Sequence, residues 1–146
     1  MTTFVGSQKH FIDAIKSLLE LDYDAVKAYE AAINRIENTS YKAKLSEFKK
    51  DHERHIKELS DLIEKHKETP PTGPSAKQLL TKGKVVFANL LGDQAILKAM
   101  LDNEEDTTEA YQTMVDRSDQ WEDSKEILQH GSQDEKKHKA WLTQCS

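Results

Sequence analysis

Six residues of this chain carry metal-binding side chains at spacings that can bring them together: Asp22, His52, His55, Glu104, Glu135 and His138. Glu135 and His138 lie three apart, as do His52 and His55, and an i, i+3 pair projects both side chains from one side of a helix. Imidazole and carboxylate donors without a thiolate suit iron, manganese or zinc. Three carboxylates and three imidazoles converging in one place could hold one cation or two.

Those residues matter only if helices turn them toward a common centre. The obvious breaker cluster, Glu68-Thr69-Pro70-Pro71-Thr72-Gly73-Pro74, divides the chain into two halves of similar length, each readable as a helical hairpin. The first helix is expected from about Ser7 to Glu37, and the second from the polar stretch Asn38-Thr39-Ser40 to about His66. Ser75 with Gln78 offers a capping box for a third helix running to about Val115, with Gly83 and Gly92 as irregularities. Asp119 with Glu122 offers another for a fourth, after a connector at 116–119 and ending near Leu142. A 4-3 apolar ladder runs through each. Helix one gives Phe11, Ile15, Leu18, Asp22, Ala25, Tyr29, Ala32 and Ile36; helix two gives Leu45, Phe48, His52, His55, Leu59 and Leu62. Helix three gives Val86, Leu90, Asp93, Leu97, Met100, Glu104, Thr107, Tyr111 and Met114. Helix four gives Trp121, Ser124, Leu128, Gly131, Glu135, His138 and Leu142.

The expected fold is therefore all-α, one antiparallel four-helix bundle over residues 1–146, made of two hairpins joined by the Pro-rich crossover. All six candidate ligands fall on its inward seams. A carboxylate buried without a partner is costly, so these three must be paired, protonated or neutralised by a cation. Hydrogen-bonded core histidines are the competing account of the imidazoles. For Tyr29 and Tyr111, core packing and a redox role both stay open. His10, His66 and His130 fall at helix ends or on the surface. Asp93 is on a seam, but Gly92 beside it points to an irregularity rather than a ligand. The runs Lys49-Lys50-Asp51 and 134–139 read mostly as solvated faces.

Composition narrows the function classes. With 146 residues the chain has the length of one domain and needs no metal or disulfide merely to fold. Five Gly, three Pro and a mean hydropathy of -0.78 accompany the absence of any apolar run of about 20 residues, which excludes a membrane span. No basic-then-apolar segment opens the sequence, so a cytoplasmic location is expected. The single Cys145 cannot build a Cys-rich metal cluster. A net charge of -5 argues against nucleic acid as a partner.

The residues also resemble a known superfamily. Asp22 with Tyr29, and Glu104 with Tyr111, repeat a carboxylate followed by tyrosine seven residues on, as in the first helices of ferritin-like proteins. Asp134-Glu135-Lys136-Lys137-His138-Lys139-Ala140-Trp141-Leu142 is similar to the bacterioferritin pattern Glu-x-x-His-x-x-Trp-Leu. Ala95-Ile96-Leu97, then Glu104-Glu105-Asp106 and Ala110-Tyr111, are similar to helix three of small bacterial ferritin-like proteins. The pairing of Asp22 with Glu104 and His55 with His138 resembles an internal duplication. This resemblance implies a di-iron site built from the six residues, with manganese or zinc as other occupants. It implies ferroxidase or peroxidase chemistry with O2 or hydrogen peroxide in iron or oxidative-stress handling. The competing class is a non-enzymatic stress or interaction protein with a structural, mononuclear or vestigial site.

Two positions depart from the pattern: His52 stands where a bridging Glu is usual, and Asp22 replaces a longer Glu. Glu53 follows the first helix-two ligand, where haem-binding relatives carry Met, so haem is not expected. The lone cysteine cannot supply the electron-transfer domain of a rubrerythrin. No fifth helix follows the fourth, so a monomer or homodimer is expected rather than a storage shell.

Overall fold

The computed structural model describes residues 3–75 and 92–146. They form α1 (Phe11–Arg35), α2 (Thr39–Lys65), α3 (Asp93–Val115), a short 3-10 turn (Glu122–Ser124) and α4 (Lys125–Cys145). No strand occurs among the described residues. The cross-helix contacts give the directions. Residues 22 and 29 of α1 meet 111 and 104 of α3, and residues 51 and 55 of α2 meet 138 and 134 of α4. Each of these pairs therefore runs antiparallel. α1 is also antiparallel to α2 across their three-residue turn, so α2 and α3 point the same way, as a long crossover between hairpins produces. No helix among the described residues is long and apolar enough to cross a membrane.

The expected seams of α1 and α2 are buried throughout, from Phe11 to Ile36 and from Leu45 to Leu62. α3 buries Leu97, Met100, Glu104, Thr107, Tyr111 and Met114, and α4 buries Leu128, Gly131, Glu135, His138 and Leu142. The apolar members separate into two clusters. One gathers Phe11, Ile15, Leu18, Leu59, Leu62, Met114 and Leu128. The other gathers Ala32, Ile36, Leu45, Phe48, Leu97, Met100 and Leu142. The polar residues of the seams lie between these apolar plugs, in a low-dielectric setting.

Several helix boundaries differ from expectation for tertiary reasons. α1 begins at Phe11 rather than Ser7, because Arg117 takes the Gly6, Gln8 and Lys9 carbonyls that an earlier helical turn would use. The same guanidinium holds Asp119 at 2.8 Å, so Asp119 does not cap α4, which starts at Lys125 after the 3-10 turn. Asn38 caps α2 by accepting a hydrogen bond from the Tyr41 amide at 3.0 Å. Gly92, at φ 87, stands at the N-cap of α3, a conformation that glycine adopts readily. Asp93 then accepts the Glu37 and Asn38 amides at 2.8 and 2.9 Å, tying the start of α3 to the α1–α2 turn. The expected Ser75–Gln78 cap, Gly83, Val86 and Leu90 involve positions outside the described residues.

Candidate metal centre

The six seam residues converge as two overlapping groups of four. Asp22, His52, His55 and Glu135 form one, and His52, Glu104, Glu135 and His138 form the other; within each, one donor atom per residue lies within 4.8 Å of the rest. All six are at most 2% exposed, so their charges are withdrawn from bulk water. His52 and Glu135 belong to both groups. An approximate twofold relates the two, exchanging Asp22 with Glu104, His55 with His138 and His52 with Glu135.

In the first group, Asp22 Oδ1 lies 2.7 Å from His52 Nδ1 and 3.2 Å from His55 Nδ1. Glu135 Oε1 is 3.5 Å from each of those nitrogens. In the second, Glu104 Oε1 is 3.2 Å from His52 Nε2 and 3.5 Å from His138 Nδ1, with Glu135 Oε2 at 3.4 Å from His138 Nδ1. Donors bound to one cation at about 2.0–2.2 Å stand roughly 3.0–3.5 Å from each other. Most of these spacings already fall in that range.

A surrounding set of hydrogen bonds fixes the donors. Tyr29 donates to Glu104 Oε1 at 2.5 Å, and Tyr111 donates to Asp22 Oδ2 at 2.6 Å, so each tyrosine serves the carboxylate of the facing helix. Burial and the adjacent carboxylates push both phenols well above their ordinary pKa, which keeps them as donors. Tyr111 reaches Asp22 because Gly131 leaves room for its ring. A Cβ there would stand 2.3 Å from Tyr111 Cε1. The Thr107 hydroxyl lies 2.9 Å from Glu104 Oε2 and 3.1 Å from Glu135 Oε2, and donates to one or the other.

The outward imidazole nitrogens are held across the hairpins. His55 Nε2 lies 2.9 Å from Asp134 of α4, and His138 Nε2 lies 2.8 Å from Asp51 of α2. Arg54 also pairs with Asp134. A carboxylate on the far nitrogen orients a histidine and raises the basicity of the near one. Asp134 is buried and Asp51 half-buried, so the reading of the 134–139 run as a solvated face fails at Asp134. The available signal was the repeat itself, since Asp51-His52-x-x-His55 and Asp134-Glu135-x-x-His138 both open with Asp. Among the other histidines, His66 stacks on Trp121 and pairs with Asp123 at the end of the bundle. Asp93 serves the α1–α2 turn, away from the donor groups.

Without a bound cation the members of the cluster shift one another's pKa values. Burial disfavours charge on every member, yet the mutual pairs outweigh it at most positions. Burial would lift Asp22, but His55 and His52 hold its carboxyl below the ordinary range. Glu104 is likewise pulled well down by His138 and His52 against burial. Burial would lower the imidazoles, and the carboxylates reverse this: His52 rises well above its ordinary value and His138 rises to about 9. Glu135 moves the other way. Burial and the neighbouring Glu104 charge push its pKa well above the ordinary carboxylate range. Buried Glu135 Oε1 and His138 Nδ1 have no hydrogen-bond partner among the described residues. These two atoms fit a cation, as does a donor set made only of nitrogen and carboxylate oxygen.

The fold is ferritin-like. The dodecameric thioferritin from Bacteroides fragilis, a bacterioferritin-related protein, has a solved structure that matches this one at a TM-score of 0.76. Its sequence is 14% identical over 92% of this chain and 82% of that one. No curated protein matches the sequence. A family model described as a domain of unknown function, DUF2383, matches residues 10–117, the stretch that carries Asp22, His52, His55 and Glu104, and the chain belongs to that family.

Proposed function

We propose that this protein binds a pair of transition-metal ions, iron foremost, at Asp22, His52, His55, Glu104, Glu135 and His138. Its proposed activity is the oxidation of ferrous iron by O2 or hydrogen peroxide. The observation that carries this reading is the pair of overlapping four-donor groups, buried between two apolar plugs and sharing His52 and Glu135. When bound, two ferrous ions would supply two electrons to an oxidant. The protein's own residues do the rest. Asp22 and Glu104 each serve one group, and Tyr29 and Tyr111 hold their carboxylates in place. Asp51 and Asp134 orient His138 and His55. Six side chains leave coordination positions open, which a site that presents metal to an oxidant needs.

The test is anaerobic titration of the metal-free protein with Fe(II), Mn(II) and Zn(II), with elemental analysis, followed by stopped-flow mixing of the iron-loaded form with O2 or peroxide. Binding of up to two ions per chain and oxidation faster than iron alone is the expected result. Tight binding with oxidation no faster than the iron-only control would replace the enzymatic reading with a structural or sensing one. Absence of binding would leave a vestigial site. The similar thioferritin is a dodecamer, so sedimentation of the loaded protein should be measured alongside, with a monomer or homodimer as the expected state.

A further inference from the structure

The twofold that relates the two donor groups is broken at one residue. Glu135 has His52 as its counterpart, an imidazole in the place of a carboxylate. The two ring nitrogens of His52 face different groups. Nδ1 lies 2.7 Å from Asp22 Oδ1 and 3.5 Å from Glu135 Oε1, beside His55. Nε2 lies 3.2 Å from Glu104 Oε1, on the side of His138. Glu135 divides in the same sense, with Oε1 toward His55 and Oε2 toward His138. Each group thus has two nitrogen and two oxygen donors, provided that His52 gives one nitrogen to each.

We propose that His52 bridges the metal pair through both ring nitrogens and sets the two ions apart, instead of drawing them together as a second bridging carboxylate would. The inference rests on the metal reading above and specifies the form of that site. Imidazole lone pairs diverge, so ions bound at about 2.0–2.1 Å to each nitrogen lie roughly 6 Å apart. Carboxylate- and hydroxide-bridged pairs stand about 3.5–4 Å apart. The first ion displaces one ring proton of His52 to water and the second ion displaces the other, leaving the ring as an imidazolate. The ring is fixed for this part. It is 0% exposed, is packed against the rings of Tyr29 and His138, and each nitrogen already has a carboxylate oxygen as neighbour. Tilting the ring to withdraw one nitrogen from its group would break one of those contacts.

The experiment loads full-length protein with Zn(II), measures metal per chain by elemental analysis, and looks for metal–metal scattering by X-ray absorption. Two zinc ions per chain without a metal–metal vector inside about 4 Å is the expected result. His52→Glu should keep two ions and gain a vector in the 3.5–4 Å range. A short vector in the parent protein, or one ion per chain in the parent, overturns the proposal while leaving metal binding intact. If the glutamate variant does not fold, the parent measurement decides alone. No uptake of zinc, iron or manganese by the parent overturns the metal reading itself.

Discussion

Glu104 and Glu135 are both fully buried on inward seams, yet their surroundings shift their pKa values in opposite directions, and isosteric substitution separates them. In metal-free protein at neutral pH, Glu104 is the ionised partner of His52 and His138, and it accepts from Tyr29. Glu135 is shifted the other way, since burial and the Glu104 charge both raise its pKa. Its surroundings favour the uncharged form, so Glu135→Gln, which puts a neutral amide of the same shape in its place, should cost under about 1 kcal/mol. Glu104→Gln removes the charge facing two buried imidazolium groups, and breaking a buried pair from one side costs about 3–5 kcal/mol. That is a large share of a total stability of roughly 5–15 kcal/mol. Urea unfolding with a chelator present, followed by far-UV circular dichroism, measures both. Equal losses for the two variants, or a larger loss for Glu135→Gln, would refute these opposite shifts. Adding zinc supplies the contrast. The parent should gain about 2.7 kcal/mol at a hundredfold excess over Kd, while Glu135→Gln should lose most of that gain.

From about pH 4.5 to 6.5 the charge pairs of His138, Asp22, Asp51 and Glu104 should all contribute to the stability of the metal-free protein, while Glu135, whose pKa is raised, loses its contribution as the pH climbs above its ordinary 4.5. His138, raised to about 9, contributes fully below its ordinary value of 6.5 and loses that contribution as pH rises through about 9. Asp22, Asp51 and Glu104 are lowered, so they contribute above their ordinary values and lose this as the pH falls through the depressed ones. Melting curves with chelator across pH 3–10 check this, and a flat profile would contradict the paired histidines. Metal binding requires unprotonated imidazoles and should strengthen toward higher pH, the reverse of the metal-free trend on that limb. Gly131→Ala should displace the Tyr111 ring and break its hydrogen bond to Asp22, costing about 1–3 kcal/mol; an unchanged near-UV tyrosine signal and unchanged stability would show that the ring has room to give. Asp51→Asn should weaken metal affinity about 10- to 100-fold by releasing His138, read by competitive zinc titration.

Much of the bundle was legible because burial follows a period that the sequence states openly. Every position from Phe11 to Ile36 on the expected α1 seam is buried, and the polar breaks in the ladders mark the donor cluster. What escaped depends on contacts distant in sequence. The start of α1 at Phe11 and the demotion of Asp119 both follow from one guanidinium, Arg117, bonding across the turn. Asp134 looked solvated because it sits one step off the seam, and its burial depends on how closely α4 approaches α2. Gly131 was placed on the core seam, but its accommodation of Tyr111 belongs to the α3–α4 contact.

The crossed carboxylates have a consequence for assembly. Asp51 of the first hairpin holds the imidazole of the second, and Asp134 of the second holds the imidazole of the first. The far nitrogens of His55 and His138 are each clamped from the opposite hairpin, so the complete set of donors and clamps appears only when two different hairpins dock. The pattern does not require that both come from one molecule. Two chains that exchanged hairpins would rebuild two whole sites with every clamp in place, and a metal-binding assay would register docked hairpins, whichever chains supplied them.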